Sequence, residues 1–376
     1  MGDVLHALPA VAALRRLHPD WFLGWLIDPR WSPLLEAACT PGDPGCTPQR
    51  PIVDRIHLVP TQTWKHRPLS QETVRGIVGM RRELCAEHYD LAIDMQGLIR
   101  SAVAGALSGS RRFVGRLHPR ETIARWFYTE KILTPALHVV EQGCELVSGA
   151  LRQHLAPSQQ LAPGLVELPI DPAAEQWVDD LLDRTLPRPL WSRFAFFAPT
   201  AGWGAKQWPK ERYGAVALAL AEAGYATFVN AAPMQHGPNL TQGDPSADVV
   251  VAASLGTAIA VPSTLPQMTA LLRRASLVLA GDTGPLHLAA ALNRPVVALY
   301  GPTDPARTGP YATPSRILRH ASSVVDHSRR ETIETGLSLI PTTEVVAAAL
   351  DLLRESALLR ESELLRESEQ RSKESH

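Results

Sequence analysis

An excess of either charge is the first thing this chain of 376 residues lacks. Lysine plus arginine number 37 and aspartate plus glutamate 38, leaving a formal charge of −1. Nucleic-acid binding draws on a cationic surplus to neutralise phosphates, so that class is set aside. Long apolar runs are missing too, with none reaching the ~18 residues that span a bilayer. The apolar stretch over 4–14 is broken by His6 and Pro9 and has no basic residue before it, so it reads as a poor secretory leader. Cysteine is scarce. Cys39, Cys46, Cys85 and Cys144 are too few and too scattered for a disulfide scaffold. Cys39 and Cys46 lie wider apart than common zinc spacings, and all four read as reduced thiols of a cytoplasmic protein. What is present is ordinary for a globular chain: 45% hydrophobic and 20% charged residues. At roughly 150 residues per domain, two domains are expected.

Short apolar runs alternate with amphipathic stretches. Strands are expected over 22–27, 56–59, 91–94 and 112–115, with helices over 9–17, 71–88, 98–107 and 138–151. A proline- and glutamine-rich segment, 157–172, then reads as a linker. The alternation restarts with strands over 194–198, 226–229, 277–280 and 295–300, and helices over 211–223, 264–275 and 285–292. This β-α order gives the fold class α/β, with parallel sheets covered by helices. Domains are expected over 1–165 and 172–345. From 346 to 376 a tail follows, in which a Leu-Arg-Glu-Ser-x-Leu hexad recurs. Six residues turn a helix by about 600°, so successive leucine pairs face different sides and a weakly helical or disordered tail is expected.

Four patches carry chemistry. In the second half, residues 277–287 read as a strand, a turn containing Asp282, Thr283 and Gly284, and a helix with Pro285 near its start. Amide groups at Thr283 and Gly284 would form an anion site at that helix terminus. Asp282 could accept from sugar hydroxyls and His287 donate to a phosphate oxygen, although a plain helix cap explains the same residues. Residues 200–209 form the second patch, where Lys206 offers a point charge to a phosphate. Its glycines do not complete a dinucleotide fingerprint, and no Walker lysine occurs. In the first half, Asp3 stands at the start of a helix, as a cap or as a general base on a hydroxyl. The fourth patch, 94–101, offers Asp94 and Gln96 for hydroxyls and Arg100 for an anion. Nearby arginines, Arg120 among them, favour an anionic partner. No Asp-x-Asp occurs at a strand end, and Asp179, Asp180 and Asp183 read as a solvated helix face, so no metal is expected.

Together these patches resemble glycosyltransferase family 9, the ADP-heptose:lipopolysaccharide heptosyltransferases. The resemblance rests on 1–9, 94–101, 202–209 and 281–304, including the Ala289–Pro295 and Tyr300–Pro305 stretches. The Met-Gly-Asp-Val-Leu-His-x-Leu-Pro start and the Asp-x-Gln-Gly-Leu patch look more like heptosyltransferase I than II. What the resemblance implies is a GT-B fold, two Rossmann-like domains with parallel sheets facing across a cleft. It also implies an inverting, metal-independent transfer without cofactor. The donor would be ADP-L-glycero-D-manno-heptose and the acceptor the Kdo residue of lipid A, with peripheral contact at the inner face of the cytoplasmic membrane. By the same resemblance Asp3 matches the catalytic base. Thr200, Lys206, Ser263, Asp282, Thr283, Gly284 and His287 match the donor site. Asp94, Gln96, Arg100 and Arg120 fall to the acceptor.

Relatives carry an apolar strand before the Gly-Asp, so the natural start codon is expected upstream of Met1. Further departures are a Pro/Gly-rich insert over 39–51 and a loop over 233–244 without a glutamate for the nucleoside. Two other readings stay open: a family member with another donor or acceptor, like heptosyltransferase II, and a non-catalytic nucleotide-sugar binding protein.

Overall fold

The computed structural model describes residues 1–38, 47–61, 64, 70–152, 161–231, 244–326, 328 and 330–374, with side chains through 359 and at 362. Cys39, Cys46 and nearly all of the 233–244 loop lie outside the described residues. Contacts divide the chain into two compact units, Met1–Asp171 and Pro172–His376.

The first unit opens with helix α1 (Gly2–Leu17), which starts seven residues before the expected 9–17. Pro9 removes one ladder hydrogen bond, yet the helix runs through it. Burial of Leu5, Leu8, Ala10, Ala13 and Leu14 offsets that loss. Strands β1 (Gly24–Ile27) and β2 (Arg55–Leu58) form one parallel pair. Strands β3 (Leu91–Ile93), β4 (Arg112–Arg116) and β5 (Glu130–Ile132) form a separate parallel sheet. The alternation alone implies one sheet here. Among the described residues no strand pairs with both groups. Helices α2 (Gln71–Ala86), α3 (Ile99–Ala106) and α4 (Val139–Ala150) complete the unit.

In the second unit six parallel strands run in the order β8-β7-β6-β9-β10-β11. They are β6 (Phe194–Ala198), β7 (Ala226–Ala231), β8 (Ala258–Pro262), β9 (Leu277–Gly281), β10 (Val296–Tyr300) and β11 (Ser315–Arg319). Every residue of β6, β9 and β10 is buried, as central strands covered on both faces must be. Connections run outward from β6 on one side and from β9 on the other. The strand order therefore reverses between β6 and β9, and at such a point the carboxyl ends of a parallel sheet form a crevice. Ala198 pairs with Ala280 in the register, so the 200–206 loop and the turn at Asp282 leave the sheet side by side.

Helices α5 (Pro172–Thr185), α6 (Lys210–Glu222), α7 (Pro245–Ala253), α8 (Leu265–Arg274) and α9 (Gly284–Ala291) cover this sheet. Two short helices, α10 (Pro305–Thr308) and α11 (Thr335–Leu339), precede a long one, α12 (Thr342–Glu374). The tail expected from 346 onward is thus not set apart. Val345, Ala348, Ala349, Leu352 and Leu353 enter the same core as Trp208 and Tyr213. Only beyond them does the hexad expose its leucines, at Leu358 and Leu359. Short-range periodicity shows that the hexad has no single face; it does not show that the preceding turns complete a core.

Candidate functional site

At the reversal point of the second unit, Lys206, Asp282 and His287 form one buried group. Lys206 Nζ donates to Asp282 Oδ2 at 2.6 Å. His287 Nε2 lies 3.1 Å from Asp282 Oδ1. Burial alone would raise the Asp282 pKa, but His287 and Lys206 outweigh it and hold the carboxyl far below the usual range. Because an ionised Asp282 only accepts, Nε2 carries the proton and donates it. His287 therefore aims that proton at Asp282. Asp282 takes one of these partners on each oxygen, in a buried setting. Lys206 also sits 4.6 Å from the ring centre of Trp203.

Local sequence builds this group. Trp208 is fully buried, and its ring N–H donates to Ile340 O at 3.2 Å, pinning the end of the lysine loop. Gly281 lets that loop approach, since a Cβ there would lie 2.9 Å from Lys206 O. Thr283 caps α9 without a side-chain bond to it, its hydroxyl turning instead to Gly281 O at 3.2 Å. The amide groups of the first turn of α9 are thereby left for an anion. Thr200 is half-buried beside the same strand end. Ser263 is buried after β8, and its hydroxyl finds no partner among the described residues. Four strands of the order separate β8 from the β9 end, counting both, so Ser263 is not part of the Lys206 group.

The first unit holds a second group. Asp3, in the first turn of α1, receives Arg120 Nη1 on Oδ1 at 2.9 Å and Gln96 Nε2 on Oδ2 at 2.7 Å. Burial works against its ionisation. Arg120 and the Gln96 amide prevail and hold the carboxyl below its ordinary value. Arg100 is exposed on α3. Three of the five residues expected to act together on the acceptor side, counting Asp3, are thus in contact, although 93 and 117 positions separate Asp3 from its partners.

Asp94 has a different part from the one expected. It is 5% exposed and its oxygens are fully engaged. Oδ1 accepts the N–H groups of Gln96 and Gly97 at 2.9 and 3.1 Å. Oδ2 lies 3.0 Å from the Ser101 hydroxyl and takes the Tyr128 hydroxyl at 2.7 Å. Asp94 therefore shapes the loop that presents Gln96 and does not face a sugar. Gly97 adopts φ +71°, and a Cβ there would meet the Arg120 backbone nitrogen at 3.1 Å. Glu121 finishes the arrangement: its N–H donates to Gly97 O at 3.0 Å and its carboxylate accepts the Ile99 N–H at 2.7 Å. Glu121 and Tyr128 escaped the sequence reading, because neither stands in a strand-end motif. Removing the hub should be costly. Asp94→Ala leaves buried donors unpaired, and urea denaturation should show a loss of about 3 kcal/mol.

The sequence model of glycosyltransferase family 9 (heptosyltransferase) matches residues 77–337. The chain belongs to this family. It is a glycosyltransferase, and its fold class is GT-B with two Rossmann-like units. Lipopolysaccharide heptosyltransferase 1 of Escherichia coli (strain K12) is 28% identical over 333 residues, covering 85% of this chain and 90% of that protein. Lipopolysaccharide heptosyltransferase 2 of the same strain is 33% identical over 131 residues, covering 33% of this chain and 35% of its own. The solved structure of E. coli heptosyltransferase WaaC with ADP aligns with a TM-score of 0.68 at 23% identity, covering 94% of this chain and 96% of that one. A family 9 glycosyltransferase from Veillonella parvula aligns with a TM-score of 0.74 at 20% identity, covering 94% of each chain. Among the described residues no helix is long and apolar enough to cross a membrane.

Proposed function

We propose that this glycosyltransferase moves heptose from ADP-L-glycero-D-manno-heptose to the Kdo residue of lipid A in lipopolysaccharide core synthesis, with inversion and without a metal. It would work in the cytoplasm, in peripheral contact with the inner membrane face. One observation carries the assignment of roles: the contrast between two carboxylates of the first unit, Asp3 and Asp94. A carboxylate has about four acceptor positions. Asp94 has filled its own and is buried. Asp3 has used two and its side chain is 46% exposed, so an acceptor hydroxyl still has a place on it.

In this reading Asp3 takes the proton from the acceptor hydroxyl as its oxygen bonds to the anomeric carbon. The bond from that carbon to the diphosphate breaks, and its electron pair leaves with ADP. Lys206 and the first-turn amides of α9 meet the charge that develops on the leaving oxygen. The lowered pKa keeps Asp3 ionised at neutral pH, at some loss of base strength. Arg120 and Arg100 add positive charge for the acid groups of a Kdo acceptor.

Near-full-length similarity to heptosyltransferase 1 supports the first-heptose step. Higher identity to heptosyltransferase 2 over a third of the chain favours a second reading, transfer to an acceptor that already bears heptose. Competition assays with Kdo–lipid A and heptosyl-Kdo–lipid A separate the two. Preference for Kdo–lipid A is the expected outcome; preference for the heptosylated acceptor would reassign the step.

A further inference from the structure

Residues 122–127 form a short 3-10 helix after Glu121. Its inward residue, Ala124, is fully buried with Ala102, Phe113 and Tyr128. Its outward residues are large and apolar. Trp126 is 82% exposed and Ile123 59%. Three residues apart on a 3-10 helix, they stand on one face. Neighbouring α3 presents Ile99 and Val103, four apart and also exposed. Soluble surfaces tolerate scattered apolar residues, but a cluster led by a nearly bare tryptophan marks a contact face.

This face is continuous with the Asp3 group. Glu121, at the entry of the 3-10 helix, holds the α3 terminus through Ile99. Tyr128, at its exit, donates to Asp94. Charge around it is one-sided. Residues 111–131 carry six basic side chains against two acidic; Arg112 pairs with Glu130, Arg120 with Asp3, and Arg116 is buried, which leaves Arg111, Arg125 and Lys131 outside any ion pair among the described residues. Both acids are engaged, Glu121 as above and Glu130 with Arg112 at 2.7 Å. Arg100 is exposed between Ile99 and Val103, and Arg125 is half-buried beside Trp126.

We propose that this face docks on a bilayer bearing anionic headgroups, with Ile123 and Trp126 seated among the acyl-chain boundary and the arginines at the headgroups. Tryptophan and arginine together match that boundary, where a ring is half wet and a cation meets phosphate. A second copy fits the face less well, since a two-fold contact would bring two faces of like positive charge together. The proposal rests on the lipid-linked acceptor of the preceding subsection: docking here would present an acceptor sugar, rooted in the membrane, at Asp3.

The test uses the full chain and vesicles of phosphatidylcholine, with and without phosphatidylglycerol at about a third of the lipid. The native protein should float with the anionic vesicles and much less with the neutral ones. The double variant Ile123→Ser, Trp126→Ser should lose partitioning by about 30-fold or more, the burial of two large side chains. Its ADP binding and circular dichroism should match the native protein. Transfer to a lipid-free Kdo acceptor should stay unchanged, while transfer to acceptor embedded in vesicles should fall. Vesicle binding undiminished in the variant overturns the proposal, as does a native dimer that the variant abolishes without any vesicle binding. Absence of transfer to either acceptor, with flotation intact, would strike the proposed reaction instead and leave the docking face standing.

Discussion

Asp3→Ala should lower turnover by about 10²–10⁴-fold, the range a positioned general base supplies, while ADP affinity stays within about twofold. The two parts of this expectation come from the same fact. Asp3 belongs to the first unit, whereas Lys206, Asp282 and the start of α9 belong to the second. Loss of the carboxylate removes the proton acceptor and frees Arg120 and Gln96, whose hydrogen bonds to Asp3 are 2.9 and 2.7 Å long. An Asp3→Asn variant keeps the shape and removes the charge, so it separates proton transfer from packing. Calorimetric ADP titration and initial rates at saturating substrates check both parts. Arg120 enters the same argument through acidity. Because its charge lowers the Asp3 pKa, Arg120→Gln should raise that pKa and shift any acid limb of kcat/KM toward higher pH.

Lys206→Ala should weaken ADP binding by about 10- to 100-fold, the worth of one charge-assisted hydrogen bond to phosphate. The lysine is not idle without a ligand. It neutralises Asp282 and lies over Trp203, so binding a diphosphate exchanges one anion for another. Truncation consequently has a second effect: Asp282, 9% exposed, loses its cationic lysine partner and keeps His287 and the Tyr300 hydroxyl. Thermal stability should fall as well, because a buried charge loses its counter-ion. Lys206→Arg should restore much of the stability and part of the affinity, since the charge returns with a different geometry. A variant that binds ADP like the native protein would remove Lys206 from the donor site.

How far the sequence led depends on the range of the signal. Asp282, Thr283 and Gly284 stand in a strand, turn and helix start as read, because a buried run, a glycine and a proline are local signals. The Lys206–Asp282 pair is not local. It needs the register that lays Ala198 beside Ala280. Asp94 shows the limit from the other side. A carboxylate at a strand end reads as a sugar ligand, and only the tertiary approach of Tyr128 shows it to be saturated. Strands β5, β8 and β11, and the split of the first unit into two sheets, were illegible for a similar reason. Short strands of mixed character are recognisable only by the neighbours they pair with. Periodicity could not show that Leu352 and Leu353 close the second core.

The central claim is transfer of heptose to a Kdo acceptor by a protein that uses Asp3 as its base. The most direct measurement incubates the native chain and Asp3→Asn with ADP-heptose labelled in the sugar and with Kdo–lipid A, and follows label on the acceptor. Label should pass to Kdo–lipid A in step with ADP release in the native protein and almost stop in the variant. Label that never leaves the donor, or that moves as fast without the Asp3 charge, would contradict the account.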